Sequence, residues 1–390
     1  MSYRWAILTL GVVAQAAFSA TQQGLAVLAP ALRERFDLSL QGVGAVLAAS
    51  SAGTVATLLA WGLVTDRLGE RAVIGVGLGV TGVAFGVAAL SSGLGLLVAM
   101  LVAAGMFGAS VSAASGRAVM GWFEPRQRGL ALGIRQTAVP VGAAAAALGL
   151  PILLGVSGLR AALAALAAAC LGAAAAGVLG LREPPGTGSR VANDAGRRGP
   201  LRDARLWRLA AGSVCLVCVQ IAITSFIVLF LIDERGFSTR GAAAMLAAIQ
   251  LGGGALRILL GIRSDRVRAR VAPLRQLSIG MAVAVGLAAG AISLGDSVLV
   301  PAFLLAGALA VGWNGLSFTA TAELAGRARS GAALGLQQTA LAAGCAVMPV
   351  GFAALVAASS WQLGFALLAV LPLLASRILR PLGELEHVTP

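Results

Sequence analysis

The sequence predicts an all-α integral membrane protein with twelve transmembrane helices in two pseudo-symmetric bundles of six. Three observations support this fold class. Of the 390 residues, 58% are hydrophobic and only 11% are charged, and the mean hydropathy is +0.91. That composition holds more apolar surface than a soluble core can bury. Apolar runs long enough to cross a bilayer recur along the whole chain, and the polar segments between them repeat in its two halves. The first expected partner is therefore the lipid bilayer.

Twelve apolar runs, called spans 1 to 12, are each long enough to cross about 30 Å of hydrocarbon at about 1.5 Å rise per residue. Span 1 follows Arg4 but is longer than the apolar core of a usual signal peptide, and it has a counterpart in the second half, so we expect it to remain as a helix. The spans fall near residues 5–32, 42–65, 72–91, 94–122, 128–154, 159–181, 206–232, 241–264, 272–294, 297–324, 330–357 and 361–380.

Two stretches of the first half recur about 200 positions later. The segment with Gly62, Asp66 and Arg67 reappears as Gly261, Asp265 and Arg266, 199 positions on. A second stretch, 128–138 in span 5, matches 330–340 in span 11 at an offset of 202. Both repeats run in the same chain direction, which indicates two halves related without inversion. We expect an N-terminal bundle at 1–181, a cytoplasmic linker at 182–205 that is rich in Pro, Gly, Ser and charge, and a C-terminal bundle at 206–390.

The distribution of cations predicts the orientation. All 29 cationic side chains are arginine. If the amino terminus is inside, 21 of them lie in inner connectors and tails and five lie outside, at positions 33, 35, 160, 235 and 240. Cytoplasmic loops carry such an excess, so both termini are expected in the cytoplasm. This clustering also accounts for the net charge of +14 without a nucleic-acid partner.

The twelve spans, the central linker and the duplicated Gly-x-x-x-Asp-Arg turn resemble the major facilitator superfamily of secondary transporters. The resemblance implies the major facilitator fold in the cytoplasmic membrane. It also implies a small-molecule substrate and alternating access by rocking of the two bundles. Spacings such as Gly75-x-x-x-Gly79 permit close helix contact and are expected to pack a monomer.

Charged residues at the inner ends of the spans are the predicted gate. A carboxylate such as Asp66 can face a helix N-terminus or an arginine, and such a latch would hold one state closed. The alternative is that these charges are solvated inner-face residues. Glu323 is expected to pair with Arg327 or Arg329. The proposed gating residues are Asp66, Arg67, Arg71, Glu124, Arg128, Asp265, Arg266 and Glu323.

Three arginines inside the spans predict an anionic substrate. Arg257 lies in span 8, Arg135 in span 5 and Arg117 near the inner end of span 4. Arginine at mid-helix costs about 2.5 to 3.5 kcal/mol and needs an anion or a wet cavity. The alternatives are hydrogen bonds to backbone carbonyls or snorkelling to the interface. Further candidate substrate contacts, each of which could instead join helices, are Gln22, Gln250, Asn314, Gln337 and Gln338.

The position of Arg257, four residues before Gly261, resembles span 8 of nitrate/nitrite and monocarboxylate transporters, in which such an arginine contacts the anion. The resemblance departs in span 2, where Leu58 stands at the repeat position of Arg257 and no second arginine is present. We therefore expect uptake of a small, monocarboxylate-like organic anion. Proton coupling has no obvious carrier, because Asp233 and Glu234 look like surface groups, although a weak acid could bring its own proton.

Two alternatives remain at this point, an exporter of lipophilic compounds and a transporter-like sensor that does not transport. An enzyme is not expected, since the one histidine, His387, lies in the tail and the spans contain no paired carboxylates. No cofactor, metal or catalytic residue is predicted.

Overall fold

The computed structural model describes residues 3–123, 128–182, 203–326 and 330–386, and within these ranges the chain is helical with no strands. Twelve helices follow one another along the chain. They are α1 (Tyr3–Phe36), α2 (Leu40–Leu90), α3 (Leu94–Trp122), α4 (Arg128–Gly180), α5 (Ala204–Asp233), α6 (Thr239–Val267), α7 (Val271–Ala291), α8 (Asp296–Gly312), α9 (Asn314–Ala325), α10 (Ser330–Ala358), α11 (Trp361–Leu368) and α12 (Val370–Glu386).

All twelve predicted spans are present, although two pairs are merged and two are broken. Helix α2 holds spans 2 and 3, and α4 holds spans 5 and 6. Each merged helix bends at a glycine in the left-handed region, Gly69 with φ 75° and Gly158 with φ 77°. Glycine adopts these angles at no steric cost, so it can join two helices without a longer loop. Span 10 is divided between α8 and α9, and span 12 between α11 and α12.

The helices are apolar enough for a multi-pass membrane protein. Within the described residues ten helical segments are long and apolar enough to cross a membrane, and one of them, Ile134–Gly180, contains two spans. The predicted all-α membrane fold is therefore confirmed.

The helices form two compact units. Unit 1 contains α1 to α4 together with Ser225–Ala247, which is the end of α5 and the start of α6. Unit 2 contains the remaining parts of α5 and α6 together with α7 to α12. The expected linker at 182–205 lies almost entirely outside the described residues, so the boundary placed there stays a prediction.

Glycines allow close packing at equivalent places in the two units. In unit 1 a Cβ on Gly105 of α3 would lie 1.8 Å from the carbonyl oxygen of Ser50 in α2. In unit 2 a Cβ on Gly307 of α8 would lie 2.7 Å from the side chain of Ile249 in α6. Gly307 follows Gly105 by 202 positions and Ile249 follows Ser50 by 199, the offsets of the sequence repeat. The repeat is therefore visible in the packing of the helices.

The turns that precede α2 and α6 repeat the same capping contact. Ser39 Oγ accepts a hydrogen bond from the backbone N–H of Gly42, and Ser238 Oγ accepts one from that of Gly241, each at 3.1 Å. A serine in this place satisfies one of the unpaired N–H groups of the first helical turn. The two serines are 199 positions apart, so the repeat also extends to the helix caps.

Candidate functional site

Arg135 lies in the interior of unit 1 and is surrounded by uncharged partners. It is only 7% exposed. Its Nε donates to Ser115 Oγ at 2.9 Å, and its Nη2 donates to Gln15 Oε1 and to the carbonyl oxygen of Ser112, each at 3.1 Å. Helices α1, α3 and α4 thus hold the guanidinium from three sides. None of these partners carries a negative charge, so the hydrogen bonds orient the cation without neutralising it.

The matching position in unit 2, Gln337, has a different environment. Gln337 Nε2 donates to Ser317 Oγ at 2.5 Å and to Ser213 Oγ at 3.2 Å, and its Oε1 accepts from Thr321 Oγ1 at 2.6 Å. The side chain is 1% exposed. Ser317 follows Ser115 by 202 positions, as Gln337 follows Arg135, so one side-chain contact occurs in both halves. In unit 2 it belongs to a closed cluster of neutral groups.

Arg257 of α6 contacts the backbone where span 10 is broken. Its Nε donates to the carbonyl oxygen of Val311 at 2.9 Å. This carbonyl lies in the last turn of α8, where carbonyl groups lack intrahelical partners. Asn314 Nδ2 donates to the same carbonyl at 3.3 Å and to Gln220 Oε1 at 3.1 Å, and Trp313 Nε1 also donates to Gln220 at 3.1 Å. The backbone-carbonyl contact that we considered for Arg257 is therefore present.

The other predicted substrate contacts are dispersed. Gln22 Nε2 donates to Thr54 Oγ1 over a long 3.4 Å. Gln250 is 2% exposed, and its amide nitrogen has no hydrogen-bond partner in the described part of the chain. Gln338 is half-buried in α10. The side chain of Arg117 lies outside the described residues.

Inner charges of unit 2 form a cluster around Arg270. Its Nη1 contacts Asp265 Oδ1 at 2.5 Å and Ser264 Oγ at 2.8 Å, and its Nε contacts Glu323 Oε1 at 3.1 Å. Partial burial lowers the pKa of Arg270, but the hydrogen bonds and charges of Asp265 and Glu323 outweigh it and leave this pKa above its usual value. The arginine thus stays charged and joins α6, the following turn and α9.

Arg270 is not among the gating residues predicted from the sequence, which instead include its neighbour Arg266. Arg266 is exposed. The expected partners of Glu323, Arg327 and Arg329, lie outside the described residues. The sequence repeat could have identified Arg270, because this residue follows the predicted gating residue Arg71 by 199 positions.

The predicted gate of the first half falls largely on residues that the structure does not describe. Glu124 lies outside the described residues, as do the side chains of Asp66 and Arg128. Arg67 and Arg71 are described and are exposed.

An ion pair at the predicted outer face of unit 1 joins Arg33 of α1 to Asp233 of α5. Arg33 Nε also donates to the carbonyl oxygen of Leu38 at 3.3 Å, which holds the guanidinium at the end of its own helix. The pair lines a groove of about 390 Å³ that also includes Pro30 and Glu34. Asp233 is therefore an ion-pair partner and not simply a solvated surface group.

Gln15 and Ser115, which hold Arg135, were not singled out from the sequence. Gln15 lies seven residues before Gln22 in span 1, and this spacing places both on one helix face. Ser115 precedes Arg135 by 20 positions and lies on another helix, so only the repeat of this pair at Ser317 and Gln337 could have indicated the contact.

Comparisons with known proteins agree with this architecture. The family model of the Major Facilitator Superfamily matches residues 11–349. An uncharacterised MFS-type transporter of Mycobacterium tuberculosis is 35% identical over 373 residues, which covers 95% of this chain and 84% of that relative. A hexuronate transporter of Bacillus subtilis is 27% identical over 123 residues, 32% of this chain and 29% of the relative.

Solved structures share the fold at low sequence identity. A bacterial homologue of the human lysosomal transporter Spinster, in an inward-facing and occupied conformation, superposes with a TM-score of 0.80 at 16% identity and 97% coverage of both chains. A D-xylose-proton symporter gives a TM-score of 0.80 at 14% identity, again with 97% of both chains covered. Together with the family match and the helical architecture, these likenesses show that the chain belongs to the major facilitator superfamily and is a multi-pass membrane transporter.

Proposed function

We propose that the protein carries a small, monocarboxylate-like organic anion across the cytoplasmic membrane by alternating access, with Arg135 as a contact for the negative charge. One observation carries this proposal. Arg135 is 7% exposed, and the hydrogen bonds of its guanidinium within the described residues go to uncharged groups. An anionic substrate would supply the missing counter-charge.

The energetics favour an anion over a neutral or cationic substrate. Arginine keeps its charge in a protein interior, so burial cannot be relieved by losing a proton. A charge in the membrane interior costs about 2.5 to 3.5 kcal/mol on insertion scales, and an anion that pairs with it recovers part of that cost. A cationic compound would add repulsion at the same place. The local similarity to a hexuronate transporter, which by its name carries a sugar acid, supports the same substrate class.

Arg257 is proposed as a second contact for the anion. Arg257 is half-buried, and its Nε donates to the carbonyl oxygen of Val311, which orients the guanidinium. Gln22, Gln250, Asn314, Gln338 and Arg117 remain proposed contacts. Gln337 also remains one, although its hydrogen bonds are already made within unit 2.

Gating is proposed to use the inner charge clusters. In unit 2 the cluster consists of Arg270 with Asp265 and Glu323. We propose an equivalent cluster of Arg71 with Asp66 and Glu124 in the first half, because these residues precede the members of the unit 2 cluster by 199 positions. The pairs of Arg270 are partly exposed, so each is expected to contribute no more than about 1 kcal/mol, which suits a contact that must break in every transport cycle.

A thermal-shift screen of the purified protein tests the substrate class. The compounds are L-lactate, pyruvate, D-glucuronate, nitrate, D-glucose and a lipophilic cation, each applied to wild type, Arg135→Gln and Arg257→Gln. Glutamine is the matched replacement, because the scaffold already holds glutamine at the equivalent position 337. A ligand at about 100 times its Kd stabilises by about 2.7 kcal/mol, which is readily measured.

We expect organic acids to stabilise wild type and to have no effect on Arg135→Gln. If only neutral or cationic lipophiles stabilise the protein, and do so equally in all three forms, the anion proposal is wrong and export of lipophilic compounds replaces it. Uptake of the stabilising acid into proteoliposomes, with and without an inward proton gradient, then separates a transporter from a non-transporting sensor and tests proton coupling.

A further inference from the structure

The hydrogen bond between Arg135 and Gln15 fixes the orientation of the Gln15 amide. Arginine has only donors, so the atom of Gln15 that meets Arg135 Nη2 at 3.1 Å must be the amide oxygen. The amide nitrogen, with its two N–H groups, is therefore turned away from the guanidinium. Gln15 thus places two further N–H donors beside the cation, while its amide oxygen accepts from Arg135.

Two amino groups of this pair remain without acceptors. Arg135 Nη1 and Gln15 Nε2 donate to no group in the described part of the chain, whereas Nε and Nη2 of Arg135 are occupied. The amide nitrogen of Gln250 is also unpaired within the described residues, but it is fully enclosed, whereas these two nitrogens are not. Both residues are more than nine-tenths buried, at 6% and 7% exposed, and each of the two free amino groups retains some accessible surface.

Glycines leave space around these donors. A Cβ at Gly116 would lie 3.8 Å from both Cζ and Nη1 of Arg135, so the absence of a side chain there leaves the free amino group open. Gly11 in α1 faces Ser115, where the second half has Ser213 at the matching position. In unit 2 the Ser213 hydroxyl contacts Ser317 and Gln337 and helps to close that cluster. Unit 1 has no such hydroxyl at this place.

We propose that Arg135 and Gln15 form a carboxylate clamp in unit 1, in which Arg135 Nη1 and Gln15 Nε2 each donate to the ligand's carboxylate. The proposal rests on the proposed function and names the second residue and the functional group that are recognised. A carboxylate fits because it has two acceptor oxygens and a charge that complements the guanidinium. Arg135 Nη1 shares its carbon with Nη2, and Gln15 Nε2 shares its carbon with the oxygen that accepts from Nη2. Only this hydrogen bond and its two flanking carbons separate the free amino groups, a span that one carboxylate can bridge.

The clamp predicts discrimination between an acid and its amide. The uncharged amide retains only one oxygen acceptor and brings an N–H₂ group toward two donors. A buried donor that loses its acceptor costs more than the mean hydrogen bond contributes. Substrates are thus selected by the carboxylate, and Gln15 is the residue that distinguishes two-oxygen recognition from simple attraction to a cation.

The test measures Kd from the concentration dependence of the thermal shift, with L-lactate and D-glucuronate as probes and L-lactamide and D-glucuronamide as their neutral matches. The variants are Gln15→Leu, Gln15→Glu and Arg135→Gln. Thr21→Val is the control, since Thr21 lies on the same helix, is buried and, within the described residues, makes only a local hydrogen bond to the carbonyl oxygen of Phe18. We expect Gln15→Leu to raise the Kd of the acids by about tenfold, the equivalent of one lost charge-assisted hydrogen bond.

Gln15→Glu gives a second, independent result. A glutamate at this place brings its own carboxylate to Arg135, so we expect higher thermal stability without ligand and loss of stabilisation by both acids. Thr21→Val should bind the acids as wild type does. The amides should stabilise none of the proteins.

The outcomes separate this inference from the proposed function. If Arg135→Gln loses the acids while Gln15→Leu and Gln15→Glu bind them with unchanged Kd, the clamp is wrong and anion transport through Arg135 stands. Equal stabilisation by an acid and its amide also overturns the clamp. If neither acid stabilises wild type but nitrate does, the clamp and the organic substrate class both fail, and only the role of Arg135 as an anion contact survives. Failure of every anion overturns both.

Discussion

At the scale of single residues, two of the buried glutamines, Gln250 and Gln337, differ in what their amide groups contact. Gln337 makes hydrogen bonds to Ser213, Ser317 and Thr321, whereas the amide nitrogen of Gln250 is enclosed without a partner in the described residues. An unsatisfied buried donor carries the desolvation penalty of its polar group, and a satisfied one does not. The two residues should therefore respond in opposite ways to an apolar replacement.

We predict that Gln250→Leu raises the free energy of unfolding by about 1 kcal/mol, because it removes an unpaired buried amide. Gln337→Leu should lower the free energy of unfolding by about 1 to 3 kcal/mol, because it leaves buried hydroxyl groups unpaired. Unfolding of both variants in one detergent, followed by intrinsic tryptophan fluorescence, measures the difference. A destabilised Gln250→Leu variant would contradict the first half of this prediction.

Sequence reasoning located the charged positions better than their partners. Arg135 and Arg257 were identified from their depth within apolar spans, since a membrane charge is unusual wherever it occurs. Their contacts to Gln15, Ser115 and Val311 could not be predicted, because each lies on another helix and depends on how the helices rotate against each other. The sequence pattern indicated Arg266 at the end of α6, whereas the residue that contacts Glu323 is Arg270, in the turn that follows this helix.

At the scale of helices, close approach depends on residues without side chains. Helices α2 and α3 meet at Gly53 and Gly105, where an added Cβ would fall 2.1 Å from the carbonyl oxygen of Val102 and 1.8 Å from that of Ser50. Those contacts involve backbone atoms, so a side chain can be accommodated only if the helices move apart. Small residues at membrane helix interfaces allow this kind of packing.

We predict that Gly105→Ala lowers the free energy of unfolding by about 1 to 3 kcal/mol through overpacking. The matched control is Gly79→Ala in α2, where a Cβ meets nothing within 4 Å. That variant should be neutral or stabilising by up to about 1 kcal/mol, because alanine favours a helix more than glycine does. Equal thermal midpoints for the two variants would show that the α2–α3 contact is not tight.

The spans were predictable to within a few residues, but their continuity was not. Hydropathy reports where a chain is apolar, but it does not distinguish an open loop from a connection in which a single glycine with positive φ, such as Gly69 or Gly158, joins two helices directly. The opposite error occurred in span 10, where an unbroken apolar run conceals a break at Trp313. Such breaks depend on side chains from neighbouring helices, here Arg257 and Gln220, that bind the freed backbone and the residues around it.

At the scale of the whole molecule, the arginine distribution predicts the topology. Twenty-one arginines lie on the side assigned to the cytoplasm and five on the other. The family, the multi-pass fold and the count of spans follow from the chain and its relatives, whereas the orientation remains a prediction from charge alone.

We predict that green fluorescent protein fused after Pro390 is fluorescent, since the carboxyl terminus is expected in the cytoplasm. Alkaline phosphatase fused at the same place should be inactive, and fused after Gly295, between spans 9 and 10, it should be active. The reverse pattern of activity at the two fusion sites would show that the orientation is opposite.

The paired positions Arg135 and Gln337 also bear on the ancestry of the chain. A gene duplication begins with two identical halves, and both copies still hold the side chain at this position against a serine, Ser115 or Ser317. The two copies now differ there, since the first has a cation near Gly11 and Gly116 and the second has neutral hydroxyl groups at the same place. Under the proposed function, differences at a handful of side chains make this position of the first copy a contact for the substrate's charge, whereas in the second copy the same position also joins three side chains of its own unit.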